Sequence, residues 1–105
     1  MNTIKERTSR SLVIGFQDAN GAAATPTSVS YRVDCETTRQ PVHAVTAISP
    51  LSASVSIVLS VADNTLLVAS SLYEIRKVTI AAVFGDGLQV VEEFRYSVQR
   101  AEEVV

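Results

Sequence analysis

The sequence predicts an all-β domain, and three observations support this. Apolar side chains alternate with polar ones along most of the chain, a pattern typical of strands with one buried face. Turn-forming residues recur at intervals of roughly 10–15 residues, the spacing expected of antiparallel sandwiches. The pattern does not alternate between strand-like and helix-like segments, so a parallel α/β sheet is not expected.

Two strand candidates precede the first turn. Asn2–Arg7 is a marginal one, whereas in Leu12–Phe16 every second residue is large and apolar. The Asn20-Gly21 pair that follows tolerates positive φ angles and predicts a tight turn. Ala22–Thr27 is then a loop of small residues.

Three further strand candidates occupy the middle of the chain. In Val29–Cys35 alternate residues are apolar, which predicts that Tyr31 and Cys35 face the core. Val42–Ile48 and Val55–Leu59 follow with the same short alternation. Because Cys35 is the only cysteine, the domain cannot hold a disulfide, and this thiol is expected to be buried and inert.

The segment Ser60–Ser71 departs from the alternation. Ser60 precedes Asp63 by three residues, an arrangement typical of a helix N-terminus. Leu66 and Leu67 fit a single helical turn. The sequence therefore predicts a short helix or a structured crossover here, of the kind that links the two sheets of a sandwich.

A hairpin near the end of the chain has the strongest signal. Glu74–Phe84 and Leu88–Gln99 are long β-rich runs separated by Gly85-Asp86-Gly87. Asp-Gly between two such runs strongly indicates a hairpin. Glu92-Glu93 interrupts the alternation of the second run, which indicates a β-bulge, a sheet edge protected by charge, or an acidic patch for a partner.

Together these segments predict an immunoglobulin-like antiparallel β-sandwich of about seven strands with one short helical crossover. We expect residues 1–100 to form this single domain and residues 101–105 to form a C-terminal tail. The length of 105 residues suits one hydrophobic core.

The composition narrows the possible functions. A net charge of −2 and scattered basic residues argue against a nucleic-acid-binding surface. No apolar run approaches the ~20 residues of a membrane-spanning helix, and the polar start predicts no signal peptide. A single cysteine suits folding in a reducing cytoplasm.

The sequence offers no constellation of residues for catalysis. His43 is the only histidine, a Gly-x-Ser-x-Gly motif is missing, and a surface or edge-strand histidine is expected. One histidine and one cysteine cannot supply the ligands of a zinc site. The turn from Asp18 to Gly21 lacks the later ligands of a calcium loop. We therefore predict no enzymatic activity and no cofactor.

Outward-facing apolar residues predict a contact surface. On the penultimate strand, Ala81 and Val83 lie in the outward phase, next to the hairpin that contains Asp86. Val13 and Val58 are outward apolar residues of two other strands. If these positions fall together, they form a patch of the size that marks protein interfaces. The candidate interface residues are Val13, Ala81, Val83 and Asp86.

Several stretches of the chain resemble small proteins encoded among the structural genes of tailed bacteriophages. The resemblance is carried by Glu6–Leu12, Phe16–Gly21, Thr25–Asp34, Ala62–Asn64 and Gly85–Gly87. Similar small immunoglobulin-like phage proteins decorate or cement the capsid, or serve as head–tail or tail components. The resemblance brings no functional motif with it, so it adds no site residues.

The resemblance implies a non-enzymatic virion structural protein that binds the capsid surface as a decoration or cement protein. Its partner would be the major capsid protein or another virion protein, or a second copy in a homo-oligomer, and assembly would occur in the host cytoplasm. The alternatives are a head–tail or tail component, or an immunoglobulin-like module that binds carbohydrate or a host surface. That last alternative needs exposed aromatic rings, for which Tyr73 is the one candidate outside the predicted strands.

Overall fold

The computed structural model describes residues 2–18, 20–49, 51–68, 72–85 and 87–100. Within them the chain forms seven strands and no helix, which confirms the all-β class. The predicted tail, residues 101–105, lies outside the described residues. The strands are β1 (Asn2–Lys5), β2 (Arg10–Gly15), β3 (Ser28–Cys35), β4 (Gln40–Ala47), β5 (Ser54–Leu59), β6 (Tyr73–Val83) and β7 (Gln89–Gln99).

The strands form two sheets. Five of them lie in the order β1-β7-β6-β3-β4, and β2 pairs with β5 in the antiparallel second sheet. β1 runs parallel to β7, so the larger sheet is mixed, whereas the sequence predicted only antiparallel strands. An alternating pattern does not specify the edge that a terminal strand joins or its direction. Here the parallel pairing buries Ile4 opposite Val98.

The hydrophobic core lies between the two sheets. Every second residue of β5 is buried, namely Val55, Ile57 and Leu59. These side chains belong to one cluster with residues of the larger sheet that include Val33 and Val78. Full burial of a valine side chain contributes roughly 1.5–3 kcal/mol, so this packing is the main source of stability in a domain without a disulfide.

β6 and β7 form the predicted hairpin. Their register runs without a shift over all eleven residues of each strand. Gly87 has a φ of 87°, a conformation that favours glycine, and its amide donates a hydrogen bond to the Phe84 carbonyl at 2.9 Å. Because the register is continuous, the β-bulge interpretation of Glu92-Glu93 is wrong.

Glu92 and Glu93 instead lie on an open edge of β7. β1 pairs with β7 only along residues 96–99, so among the described residues 89–95 have a strand partner on the β6 side alone. Glu92 lies opposite the buried residue Ile80 and faces inward, whereas Glu93 faces outward. This placement agrees with a sheet edge protected by charge.

The predicted helix in Ser60–Ser71 is wrong for residues 60–68, which form turns, and residues 69–71 lie outside the described residues. The reciprocal hydrogen bonds of a helix start are nevertheless present. The Ser60 amide donates to Asp63 Oδ2 at 2.9 Å, and the Asp63 amide donates to Ser60 Oγ at 3.1 Å. The local signal was therefore correct, but no helix continues from it.

The reason lies on β6. To continue a helix, the amides of Leu67 and Val68 would have to donate to carbonyls four residues earlier. Both amides donate instead to the carboxylate of Glu74, at 2.9 Å each. The segment 60–68, called the crossover below, is thus drawn from the helical path by a side chain of the sheet.

Candidate functional site

A buried ion pair anchors the crossover to the five-stranded sheet. Glu74 and Arg76 are fully buried on the inner face of β6, with Arg76 Nη1 2.8 Å from Glu74 Oε1. Arg76 also donates to the carbonyls of Asp63 and Thr65, at 3.2 and 2.8 Å. The thiol of the buried Cys35 lies 3.8 Å from the same carboxylate oxygen. Each buried charge therefore has an opposite charge and hydrogen-bond partners, as burial requires.

The environment of Glu74 favours its charged form. Burial by itself would raise the pKa of this carboxyl group, because water no longer solvates the charge. Hydrogen bonds from the Leu67 amide, the Arg76 guanidinium and the Val68 amide outweigh burial and hold the pKa below its usual value. The carboxylate is consequently ionised at neutral pH, and the ion pair is intact there.

We expect the domain to lose stability in acid through Glu74. Its pKa is lower in the folded chain than in the unfolded chain, so its contribution is complete above the unfolded value, about 4.3. That contribution is lost as the pH falls through the folded pKa. Urea unfolding at about pH 7, 4 and 3 measures the loss.

The matched controls are two glutamine variants. Glu74→Gln should flatten the pH dependence of the free energy of unfolding, whereas the exposed Glu93→Gln should leave it as in the wild type. Equal pH dependence in Glu74→Gln and the wild type would show that this carboxylate does not control acid stability.

His43 lies in a second polar group that the sequence analysis did not foresee. Its Nδ1 is 3.1 Å from Asp63 Oδ1, and its Nε2 is 3.2 Å from Tyr31 Oη and 3.1 Å from Thr46 Oγ1. The Tyr31 ring stacks on the imidazole with ring centroids 5.1 Å apart. β3, β4 and the crossover meet at this point.

The order of these groups resembles that used in nucleophilic catalysis, with a carboxylate, an imidazole and a hydroxyl. The Thr46 hydroxyl, however, donates to the carbonyl of Ala44 at 2.9 Å, so its proton points away from the imidazole. Burial, aided by the charge of Asp63, raises the pKa of Tyr31, so its phenol keeps its proton. His43 therefore joins Asp63 of the crossover to Tyr31 of β3 and Thr46 of β4.

The predicted interface residues lie on two separate surfaces. Val13 is 64% exposed on the outer face of the two-stranded sheet, as is Val58 at 58%. Ala81 and Val83 lie half-buried on the outer face of the five-stranded sheet. The core separates these faces, so the structure does not bring Val13 together with Ala81 and Val83. Asp86 lies outside the described residues.

The outer face of the five-stranded sheet has an uncharged half near the hairpin, called the apolar half below, in which Ser28, Ser30 and Gln89 lie beside the apolar residues. Ala81 lies between Ser30 of β3 and Val91 of β7, and Val91 is 57% exposed. Ala47 of β4 lies opposite Ser30 and extends this half to the far edge of the sheet. The sequence placed Ala81 and Val83 correctly in the outward phase, but Val91 and Ala47 joined them only through the strand order.

The other half of the outer face carries ion pairs. Lys77 Nζ lies 3.4 Å from Glu93 Oε2, and Arg95 contacts both Glu93 and Glu36. Exposed pairs of this kind contribute little to stability. They give the face a polar side with opposite charges held in fixed positions.

The described residues were also compared with the requirements of a metal site and of a membrane-spanning helix. In the part of the chain that the structure describes, no three His, Cys, Asp or Glu side chains are grouped so that they could hold a metal ion. Asp18 Oδ1 accepts the amides of Asn20 and Ala22, so this carboxylate shapes its turn. No helix in the described ranges is long and apolar enough to cross a membrane.

Comparisons with protein-family models, curated proteins and solved structures found no match.

Proposed function

We propose that this chain is a non-enzymatic virion structural protein of a tailed bacteriophage, which binds the capsid surface as a decoration or cement protein. We also propose that its two sheets form an immunoglobulin-like sandwich. The observation that carries the proposal is the apolar half of the outer face around Ala81, Val83 and Val91. The class of partner, a capsid protein or another virion protein, is inferred from the resemblance of the sequence to phage structural proteins.

This surface suits contact with another protein. β6 pairs with β7 along its full length and with β3 over Arg76–Val83, and buried side chains support it from below, so the face is rigid. The small side chain of Ala81 lets a partner backbone approach closely, and Val91 projects beside it. Protein interfaces likewise combine uncharged area with neighbouring polar and charged residues.

Decoration would stabilise the shell through mass action. A domain that contacts neighbouring capsid subunits only when they are assembled favours the assembled state, as any ligand of that state does. The ion pairs of Lys77 and Arg95 then help to orient the domain, because complementary charge contributes mainly to specificity. A position at the head–tail junction or in the tail would use the same face on another virion protein.

Mass spectrometry of purified particles of the phage that carries this gene, with a reconstruction of the shell, tests the proposal. We expect the protein in many copies on the capsid, with the apolar half of its outer face against the shell. Its absence from the particles would overturn the proposal. Density at the head–tail junction or in the tail would replace decoration with the alternative position.

A pair of valine substitutions tests the surface itself. Val91→Glu places a charge in the proposed interface and should lower the amount bound to particles by about tenfold or more. Val58→Glu is the matched control, because Val58 is equally exposed but lies on the opposite side of the domain. Both variants should keep the far-UV circular dichroism of the wild type. Equal binding of the two variants would contradict this choice of surface.

A further inference from the structure

An open groove runs between β2 of the smaller sheet and β7 of the larger sheet. Two cavities adjoin along it, one of about 240 Å³ and one of about 270 Å³. Leu12 and Phe94 contribute to the apolar floor of the first cavity, and Ile14 and Val90 to that of the second. Leu12 and Ile14 are successive inward residues of β2, so the two cavities follow the strand at the spacing of alternate side chains.

Unpaired strand edges border this groove on both sides. β2 pairs with β5 along all of Arg10–Gly15, and its other edge has no strand partner among the described residues. Across the groove, residues 89–95 of β7 are likewise unpaired on the side away from β6, within the described ranges. Free N–H and C=O groups along such an edge can pair with an added strand.

Opposite charges lie along the groove, with Arg10 at one end and Glu92 between Phe94 and Val90. Arg10 lines the first cavity and Glu92 lines the second. Both lie in the inward phase of their strands, because Arg10 is opposite the buried Leu59 and Glu92 is opposite the buried Ile80. Within the described residues, neither side chain makes a hydrogen bond or an ion pair. A ligand with the reverse order of charges would complement both side chains.

We propose that the groove binds an extended segment of a partner protein, which adds to β2 as an antiparallel third strand. Alternate apolar side chains of the segment enter the two cavities. Antiparallel pairing is the more stable kind, so the segment runs from the Phe16 end to the Arg10 end. An apolar residue comes first, a basic residue follows level with Glu92, and an acidic residue comes last. This site lies apart from the outer face and does not depend on the capsid proposal.

The capped peptide Val-Thr-Lys-Thr-Val-Thr-Glu is a probe with this chemistry. Its two valines, its lysine and its glutamate share one face, and its length matches the stretch from Arg10 to Phe16. In an NMR titration of the whole protein, we expect saturable binding and slowed hydrogen exchange at alternate amides of β2. The same peptide with N-methyl groups on alternate residues cannot form the strand ladder and should not bind.

Charge variants test the direction of the segment. Arg10→Glu should weaken binding of the probe about tenfold. The Arg10→Glu/Glu92→Lys double variant should prefer the peptide in which Lys and Glu are exchanged. Arg39→Glu is the control, because Arg39 is an exposed arginine of the 36–39 turn without a partner among the described residues.

Four outcomes would overturn the proposal. The first is no binding at about 1 mM peptide, which would indicate that the inward charges only guard the open edges. The second is binding that Arg10→Glu does not weaken. The third is protection of amides outside β2. The fourth is slower hydrogen exchange of the β2 amides without peptide as the protein concentration rises. A second copy of the chain would then be the occupant of the groove.

Discussion

The Arg76→Leu substitution is expected to lower the free energy of unfolding by about 3–5 kcal/mol. Leucine fills much of the same space, but the Glu74 carboxylate would remain buried without its counter-charge. The carbonyls of Asp63 and Thr65 would lose their donor at the same time. The loss is larger than for a surface substitution because it leaves several buried polar groups unpaired.

Urea unfolding followed by circular dichroism measures this loss. Arg32→Leu is the matched control, because Arg32 also pairs with an acid two residues away on its own strand, but it does so on the exposed outer face. This control should leave the free energy of unfolding nearly unchanged. A loss in Arg76→Leu no greater than in Arg32→Leu would show that the buried pair does not anchor the crossover.

Hydrogen exchange gives a second, local measure of the same change. The amides of Leu67 and Val68 are held by Glu74, whose position depends on Arg76. In Arg76→Leu these amides should exchange faster, while the amides in the centres of β6 and β7 should change less, since their ladder is unaltered. The crossover is therefore expected to loosen before the sheets do.

The strands were predictable because their signal is local. Alternation within Val29–Cys35 or Ser54–Leu59 depends on a single buried face, and any sheet that buries this face satisfies it. Pairing is not local, and β1 illustrates this. Its parallel alignment with β7 joins the two ends of the described chain, and the pattern within Asn2–Lys5 contains nothing that specifies this partner or direction.

The missing helix has a similar cause. Ser60 and Asp63 form the reciprocal hydrogen bonds of a helix start, so the local prediction was sound. The helix is stopped by Glu74, which lies on β6, a strand that follows in the sequence. Its carboxylate accepts hydrogen bonds from the amides of Leu67 and Val68. A tertiary contact has thus outweighed a local preference.

The sequence carries an indication of burial for some of the buried polar groups but not for others. Glu74 and Arg76 stand in the same phase as the buried Val78 and Ile80, so the alternation of this strand could have indicated their burial, but the ion pair itself was not predicted. His43 and Asp63 had no comparable signal, because they lie on separate elements and meet only through the path of the crossover. For the same reason, Val13 could not be assigned to either outer surface before the strand order was known.

A second large effect is expected at Asn64, which is fully buried in the crossover. Its Nδ2 donates to the Thr8 carbonyl at 2.6 Å, and its Oδ1 accepts from the Tyr96 phenol at 2.7 Å. Asn64→Ala should lower the free energy of unfolding by about 2–4 kcal/mol, because the buried Tyr96 phenol and the partly buried Thr8 carbonyl would both lose this hydrogen-bond partner. The crossover would also lose its side-chain link to the segment between β1 and β2.

A double-mutant cycle with Tyr96→Phe isolates the bond between the two side chains. Burial, which outweighs the opposing charge of Arg76 and is aided by Asp63, raises the pKa of Tyr96, so the phenol remains a donor throughout the neutral range. The double variant should therefore be less destabilised than the sum of the two single variants, by about 1 kcal/mol. Tyr73→Phe, on an exposed residue, should leave the free energy of unfolding unchanged. Strict additivity of Asn64→Ala and Tyr96→Phe would mean that each side chain stabilises the fold independently of the other.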